Sequence, residues 1–320
     1  MSNTKRLDWI DACKGILICT IVLMHINSAF WSGNELGTYI SNLTSLYKVS
    51  VFFCVSGLTL KDERLKNTRR FICGKIKGLY SRIVIVGLLA VVFHNVLIHV
   101  GFYSLGMDYK GKIMNSYSAF DIVKQSVLTL VMANREVITG PMWYANVLFM
   151  ALIILALIDW FVRTIIRCNN SRMVRFGITI CLMLISSLMT NVFDFTIPRF
   201  NNTLTVVFLI DLCQLIYREF SCSFDNKGIF VIALLVLLNL PFYGHLSMTN
   251  NYFKDPAFLI VVSVCGMYVL YFIAQHLTWW PKRIFVYIGK QSFWVMALQF
   301  TAFKVGSVFL NLFIKVDMPV

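Results

Sequence analysis

Apolar residues run along this chain in long blocks divided by short polar, mostly basic stretches. A helix needs about 20 such residues to cross the roughly 30 Å hydrocarbon core of a bilayer. Blocks near 9–31, 38–60, 79–100, 143–162, 174–191, 202–220, 229–243, 256–277 and 292–314 meet that length and predict nine membrane-spanning helices. A tenth stretch, "AFDIVKQSVLTLVMANR" at 119–135, has only about a dozen usable residues between Lys124 and Arg135, which makes it a short re-entrant or interfacial segment. Were it to cross, there would be ten spans. The expected fold is all-α, a polytopic transmembrane helix bundle, with residues 1–320 forming a single integral-membrane domain. The sequence shows no repeat, no low-complexity tract and no stretch polar enough for a separate soluble domain.

Composition strengthens this picture. With 58% hydrophobic and 14% charged residues and a mean hydropathy of +0.73, the chain has more apolar side chains than soluble cores could bury. A net charge of +14 raises the question of a nucleic-acid partner, and the positions of the basic residues answer it. Most lie in alternate short loops: Lys5 and Arg6, the run "KDERLKNTRRFICGKIK" at 61–77, the arginines of 163–175, Arg218 with Lys227, and Lys282, Arg283 and Lys290. Positive loops stay in the cytoplasm, so the N-terminus is expected there and the charge serves topology and anionic lipid rather than nucleic acid. Counting 119–135 as a crossing would put the arginines of 163–175 outside, which favours nine spans plus a short insertion. The nine cysteines are scattered without a Cys-x-x-Cys pair and read as small hydrophobes, so neither disulfides nor a metal site is expected. Ionisable residues interrupt the first span and no small-residue cleavage site follows, so it is not expected to be a cleaved signal peptide.

Those ionisable residues are the chemically informative ones, because a charge in hydrocarbon costs roughly 2.5–3.5 kcal/mol on insertion scales and normally faces a bundle interior. In "LDWIDACKGILICTIVLMHINSAFW", Asp11 lies one turn before Lys14, and His25 follows eleven residues later on the same face, about 16 Å up the helix. Asp11 and Lys14 read either as a snorkelling interfacial pair or as part of a site. His25 reads either as a structural hydrogen-bonding group or as a proton-handling group in an internal cavity. Lys48 lies too deep in the second span for easy snorkelling and is expected to face a cavity. Asp211 and Gln214, one turn apart in mid-span, suit either a buried basic partner or a helix–helix bond. Asp159 and Arg163, four apart, read as a structural ion pair, and His94 and His99 as ordinary interhelical hydrogen bonders.

Four stretches together resemble the membrane acyltransferase-3 family. "DACKGILICTIVLMH" resembles its first-helix signature, in which ten residues separate a basic residue from a histidine. "YKVSVFFCVSGLTL" at 47–60 is similar to the second-helix Phe-Phe and Ser-Gly pattern, followed by "KIKGLYSRI", which resembles the basic loop and the Arg-bearing third helix. "PMWYANVLFMALI" at 141–153 is similar to a Pro-x-Trp-Phe stretch, and "YIGKQSFWVMALQF" at 287–300 to the last-helix Gly-Lys-x-Ser pattern.

The resemblance implies transfer of an acyl group, usually acetyl from acetyl-CoA, to a hydroxyl of a cell-envelope glycan or lipid-linked saccharide such as a capsule or exopolysaccharide unit. Acetyl-CoA enters as donor substrate, no cofactor is permanently bound, and polysaccharide-assembly proteins are further partners. His25 corresponds to the family's essential histidine, as general base or acyl carrier, with Lys14 as the first-helix basic residue and Asp11 its neighbour. Lys48, Arg82, Trp143, Tyr144, Asp211 and Gln299 are the candidate substrate contacts; Arg82 suits snorkelling equally well, and Trp143 and Tyr144 suit an interfacial aromatic belt. Ser56-Gly57 reads as helix packing. Two departures stand out: Gln299 replaces a common last-helix histidine and cannot titrate, and Ser50 stands where proline is frequent. The alternatives are a secondary transporter or glycan flippase, against which stands the lack of an inverted repeat, and a noncatalytic membrane subunit.

Overall fold

A backbone in hydrocarbon must satisfy its own hydrogen bonds, and the chain does so almost entirely with helices. The computed structural model describes residues 8–30, 35–103, 105–106, 108–109, 112–133, 136–168, 170–218 and 224–314. In chain order the helices are α1 (Asp8–Phe30), α2 (Glu35–Thr59), α3 (Asp62–Lys66), α4 (Thr68–Lys75), α5 (Ser81–Val92), α6 (His94–His99), α7 (Ala119–Leu130), α8 (Trp143–Phe161), α9 (Ser171–Ser187), α10 (Phe200–Arg218), α11 (Lys227–Tyr243), α12 (Pro256–His276), α13 (Trp279–Lys290) and α14 (Ser292–Ile314). The sheet content described is two antiparallel hairpins of two-residue strands, β1 (Asp108–Tyr109) with β2 (Lys112–Ile113) and β3 (Leu246–Ser247) with β4 (Tyr252–Phe253).

Among the described residues, five helical segments are long and apolar enough to cross a membrane: Asp8–Ile26, Val137–Ile166, Ser171–Val192, Phe200–Arg218 and Pro256–His276. The apolar α11 is shorter. The chain is therefore an all-α, multi-pass membrane protein. Two expected boundaries move. Where a single span was expected at 79–100, helix begins at Thr68, passes through a wide π-helical turn at Ile76–Tyr80 into α5, and breaks at Phe93 before α6. Much of the polar run 61–77 is thus helical, because Lys and Arg are good helix formers. The basic stretch after 277, read as a connecting loop, is the amphipathic α13. Within the stretch 119–135, of which residues 134–135 lie outside the described residues, Ala119–Leu130 form α7, whose start is fixed by a reciprocal cap between Ser118 and Asp121. Its 12 residues rise about 18 Å, short of a bilayer core.

The chain falls into two compact units, one gathering the described residues of 1–72 and 150–292, the other those of 73–149 and 293–320. In the first unit, α10 is the central element, buried nearly along its whole length and packed against α2 and α9. Helix α1 packs on α13, α2 and α12. Glycines set the closest approaches. A Cβ on Gly15 would sit 2.0 Å from the Phe285 carbonyl oxygen, and one on Gly289 would sit 1.8 Å from that of Asp11, so α1 and α13 touch backbone to backbone. Gly57 of α2 meets Ile210 of α10 in the same way, at 2.2 Å. In the second unit, α5 packs on α7 and on the 3-10 turn Val137–Met142, and Tyr103, Met114 and Val137 form a small buried core.

Candidate functional site

The first unit carries the candidate chemistry of α1 and α2. Asp11 is buried where α1 meets α13, and its carboxylate lies 3.8 Å from the partly exposed Lys14 ammonium one turn on. His25, further along α1, is half-buried and within Coulomb range of Lys48. Lys48 of α2 is only 5% exposed. Its Nζ donates to Ser45 Oγ at 3.1 Å and contacts the Met24 thioether, the residue preceding His25. The helical geometry accounts for this: side chains lean toward the helix N-terminus, so Lys48 reaches back one turn to Ser45.

Asp211 belongs to a different cluster of the same unit. Its carboxylate accepts from Arg175 through Nη2 at 2.7 Å and Nε at 3.1 Å, and from Thr179 at 3.3 Å. Arg175, 1% exposed, also donates to Asp159 at 2.8 Å and to the Gln214 amide oxygen at 2.9 Å. Gln214 in turn donates to Asp62 at 2.9 Å, Arg163 pairs with Asp159 at 2.7 Å, and Arg172 reaches Asp62 at 3.3 Å. Three guanidiniums face three carboxylates, which is how buried charge is tolerated. Of the two readings open for Asp211 and Gln214, the structure supplies a basic partner on another helix, α9.

The second unit holds the other candidates. Arg82 is exposed, its guanidinium 6.0 Å from the centre of the Phe293 ring. Trp143 and Tyr144 open α8 after the 3-10 turn that contains Pro141, with their rings edge to face at 6.5 Å. Gln299 is 4% exposed, and among the described residues neither its amide nitrogen nor its oxygen has a hydrogen-bond partner. A buried amide left in that state is costly and is suited to receive a substrate group or water.

A third cluster was invisible to span-by-span reading. His94 is fully buried; Glu136 accepts from its Nδ1 at 2.9 Å, and its Nε2 lies 3.1 Å from the Asn115 carbonyl oxygen. Tyr117 stacks on the imidazole with ring centres 3.5 Å apart and donates its hydroxyl to Glu136. Asn95 holds the Tyr117 backbone at both its N–H and its carbonyl. Burial, and then the Glu136 carboxylate that accepts its proton, push the Tyr117 phenol above its ordinary range. His94 is thus hydrogen-bonded as expected of a non-catalytic histidine, but to the connecting segment 115–136 and not to another spanning helix.

With this geometry described, comparison with known proteins is decisive at family level. The sequence model for acyltransferase-3, described as an acyltransferase domain, matches residues 7–316. The chain belongs to the acyltransferase-3 family. No curated protein and no solved structure matches it. As an acyltransferase-3 protein it is a membrane acyltransferase.

Two of the stretches that carried the family resemblance meet in the first unit. The Asp-Ala-Cys-Lys-Gly of α1 and the Gly289-Lys290 of α13 contain the glycines of the backbone contact, Gly15 and Gly289. Phe52 and Phe53 of the second acyltransferase-3 motif are buried, and Gly57 packs on α10. The structure therefore pairs Asp11 with Lys14 and brings Lys48 near His25, while Asp211 lies in the Arg175 cluster. Arg175 and Glu136 escaped sequence reasoning. Arg175 was counted among loop cations, and the one available signal was that Asp211 and Gln214 in mid-span needed a basic partner.

Proposed function

We propose that this acyltransferase-3 protein moves acetyl from acetyl-CoA to a hydroxyl of an envelope glycan, a capsule or exopolysaccharide unit. It works in the cell membrane with nine crossings and a cytoplasmic N-terminus, as the distribution of Lys and Arg among the loops favours. Membership of an acyltransferase family favours this over transport or a purely noncatalytic role. The observation that carries the chemistry is a half-buried imidazole, His25, on a helix otherwise apolar enough to span, with an ammonium close by.

In this reading His25 is the general base. A sugar hydroxyl is a poor nucleophile at neutral pH, and imidazole accepts its proton as the oxygen attacks the thioester. Lys14, partly exposed, suits the phosphates and polar arm of coenzyme A. Trp143 and Tyr144 suit stacking on a sugar, and the unpartnered Gln299 amide suits a hydroxyl or carbonyl. Asp11 acts on Lys14 by holding its charge in place. His25 lies about 24 Å of helix beyond Trp9, so a cytoplasmic donor delivers its acyl group across much of the bilayer.

The test is transfer of labelled acetyl in sealed vesicles carrying the wild-type protein or His25→Ala. Transfer is expected to fall at least about 100-fold in the variant, in line with loss of a general base. Undiminished transfer by His25→Ala removes His25 from the mechanism.

A further inference from the structure

The cation of α2 stands apart from the other buried cation clusters. In the same unit Arg175, Arg163 and Arg172 each meet a carboxylate. Lys48 is buried, as Arg175 is and Arg163 and Arg172 are not, yet its partners are a hydroxyl, Ser45, and a thioether, Met24, the latter a weak acceptor. Among the described residues no carboxylate pairs with it. Burying an ammonium without a counter-charge is among the costliest arrangements a protein adopts, and in a membrane segment such a group marks a functional site. The charge is aimed at the turn of α1 that carries His25, since the thioether it touches belongs to the preceding residue and the imidazole lies within its Coulomb range.

We infer that Lys48 stabilises the oxyanion of the acyl-transfer step, an assignment that rests on the acetyl-transfer reading of His25. The acceptor hydroxyl oxygen bonds to the thioester carbonyl carbon while its proton passes to the His25 imidazole. The carbonyl π pair moves onto oxygen, and this single negative charge faces the Lys48 ammonium. Collapse restores the C=O bond and breaks the C–S bond, and the departing sulfur takes the electron pair and then the proton from the imidazolium. A fixed charge that waits for negative charge to develop, in a place closed to bulk water, is the arrangement that lowers such a barrier most. The other anion Lys48 could serve is a permanent carboxylate or phosphate on the acceptor.

Water is an acceptor with no charge and no binding site of its own, so thioester hydrolysis separates these roles. Wild type, Lys48→Met, Lys48→Arg and His25→Ala are purified in detergent. Each is assayed with labelled acetyl-CoA for release of coenzyme A thiol to water and for acetyl transfer to methyl glucoside as a neutral hydroxyl probe, and its Tm is recorded. Lys48→Met is expected to lower both rates by about 10²–10³-fold, the loss seen when an oxyanion donor is removed. Its KM for acetyl-CoA stays unchanged, and its Tm equals or exceeds that of wild type because an uncompensated charge has gone. Lys48→Arg is expected to recover part of the rate. Hydrolysis at the wild-type rate in Lys48→Met, an effect confined to KM, or a lowered Tm overturns the inference. Wild-type protein that releases no thiol, or His25→Ala that matches it, overturns instead the acetyl-transfer reading beneath it.

Discussion

At the residue scale, polar groups in this protein divide into those whose hydrogen-bonding capacity is used up and those held in reserve. The His94, Tyr117 and Glu136 cluster is of the first kind, with both imidazole nitrogens and both carboxylate oxygens engaged. Tyr117→Phe leaves one oxygen of a buried carboxylate short of a donor, and thermal unfolding in detergent is expected to show a loss of about 1–3 kcal/mol. The pH dependence has a definite sign. The folded phenol keeps its proton to higher pH than an unfolded tyrosine, so its contribution is complete below the ordinary tyrosine range, near about pH 10, and disappears as pH climbs through the raised value. The gap in Tm between wild type and Tyr117→Phe should therefore persist through neutral and mildly alkaline buffer and close only beyond it. Gln299 and Lys48 are of the second kind. Both were legible in the sequence as polar residues in apolar runs. Their lack of strong partners was not legible, because it depends on what neighbouring helices fail to provide.

At the element scale, hydropathy revealed the helices that lipid or core makes apolar and missed those whose character is mixed. The helix α13 escaped because Lys282, Arg283 and Lys290 interrupt its apolar run, yet Trp279, Trp280 and Tyr287 are exposed beside them, the composition of a helix lying at a bilayer surface. Its glycine escaped too, since a Gly-Lys pair in sequence does not announce a helix pressed on its backbone. Gly289→Ala would place a methyl group 1.8 Å from the Asp11 carbonyl oxygen, and a destabilisation of at least about 1–3 kcal/mol is expected. Gly177 of α9 has nothing within 4 Å of a built Cβ, so Gly177→Ala should stabilise by up to about 1 kcal/mol through helix propensity alone. Melting curves of the two variants side by side check both signs, and equal behaviour would mean that the α1–α13 contact does not exist in the membrane.

At the scale of the whole molecule, the Arg175 cluster ties together chain segments far apart in sequence: the start of α3 through Asp62, the end of α8 through Asp159, α9 through Arg175, and α10 through Asp211 and Gln214. Arg175→Met strands the buried carboxylate of Asp211, and a loss of about 3–5 kcal/mol is expected. The double variant Arg175→Met with Asp211→Leu should recover a large part of it, because an apolar pair replaces an orphaned charge. A double-mutant cycle of unfolding free energies measures this, and additivity of the two losses would show that the residues do not interact. The all-α membrane class was readable from one sequence because lipid imposes length and hydropathy on a crossing, and five of the nine expected spans coincide with helices long and apolar enough to cross among the described residues; the family was readable from its motifs. The charge clamp was not, since counting loop cations treats each arginine as solvated.

The seam between α1 and α13 has a bearing on how the enzyme moves. Two carbonyl oxygens lodged where side chains would otherwise stand leave α1 no room to slide or roll. The helix that carries His25 is therefore the stator of the machine. On the proposed acetyl-transfer reading, entry of the acceptor and release of the spent donor fall to displacement of helices other than α1.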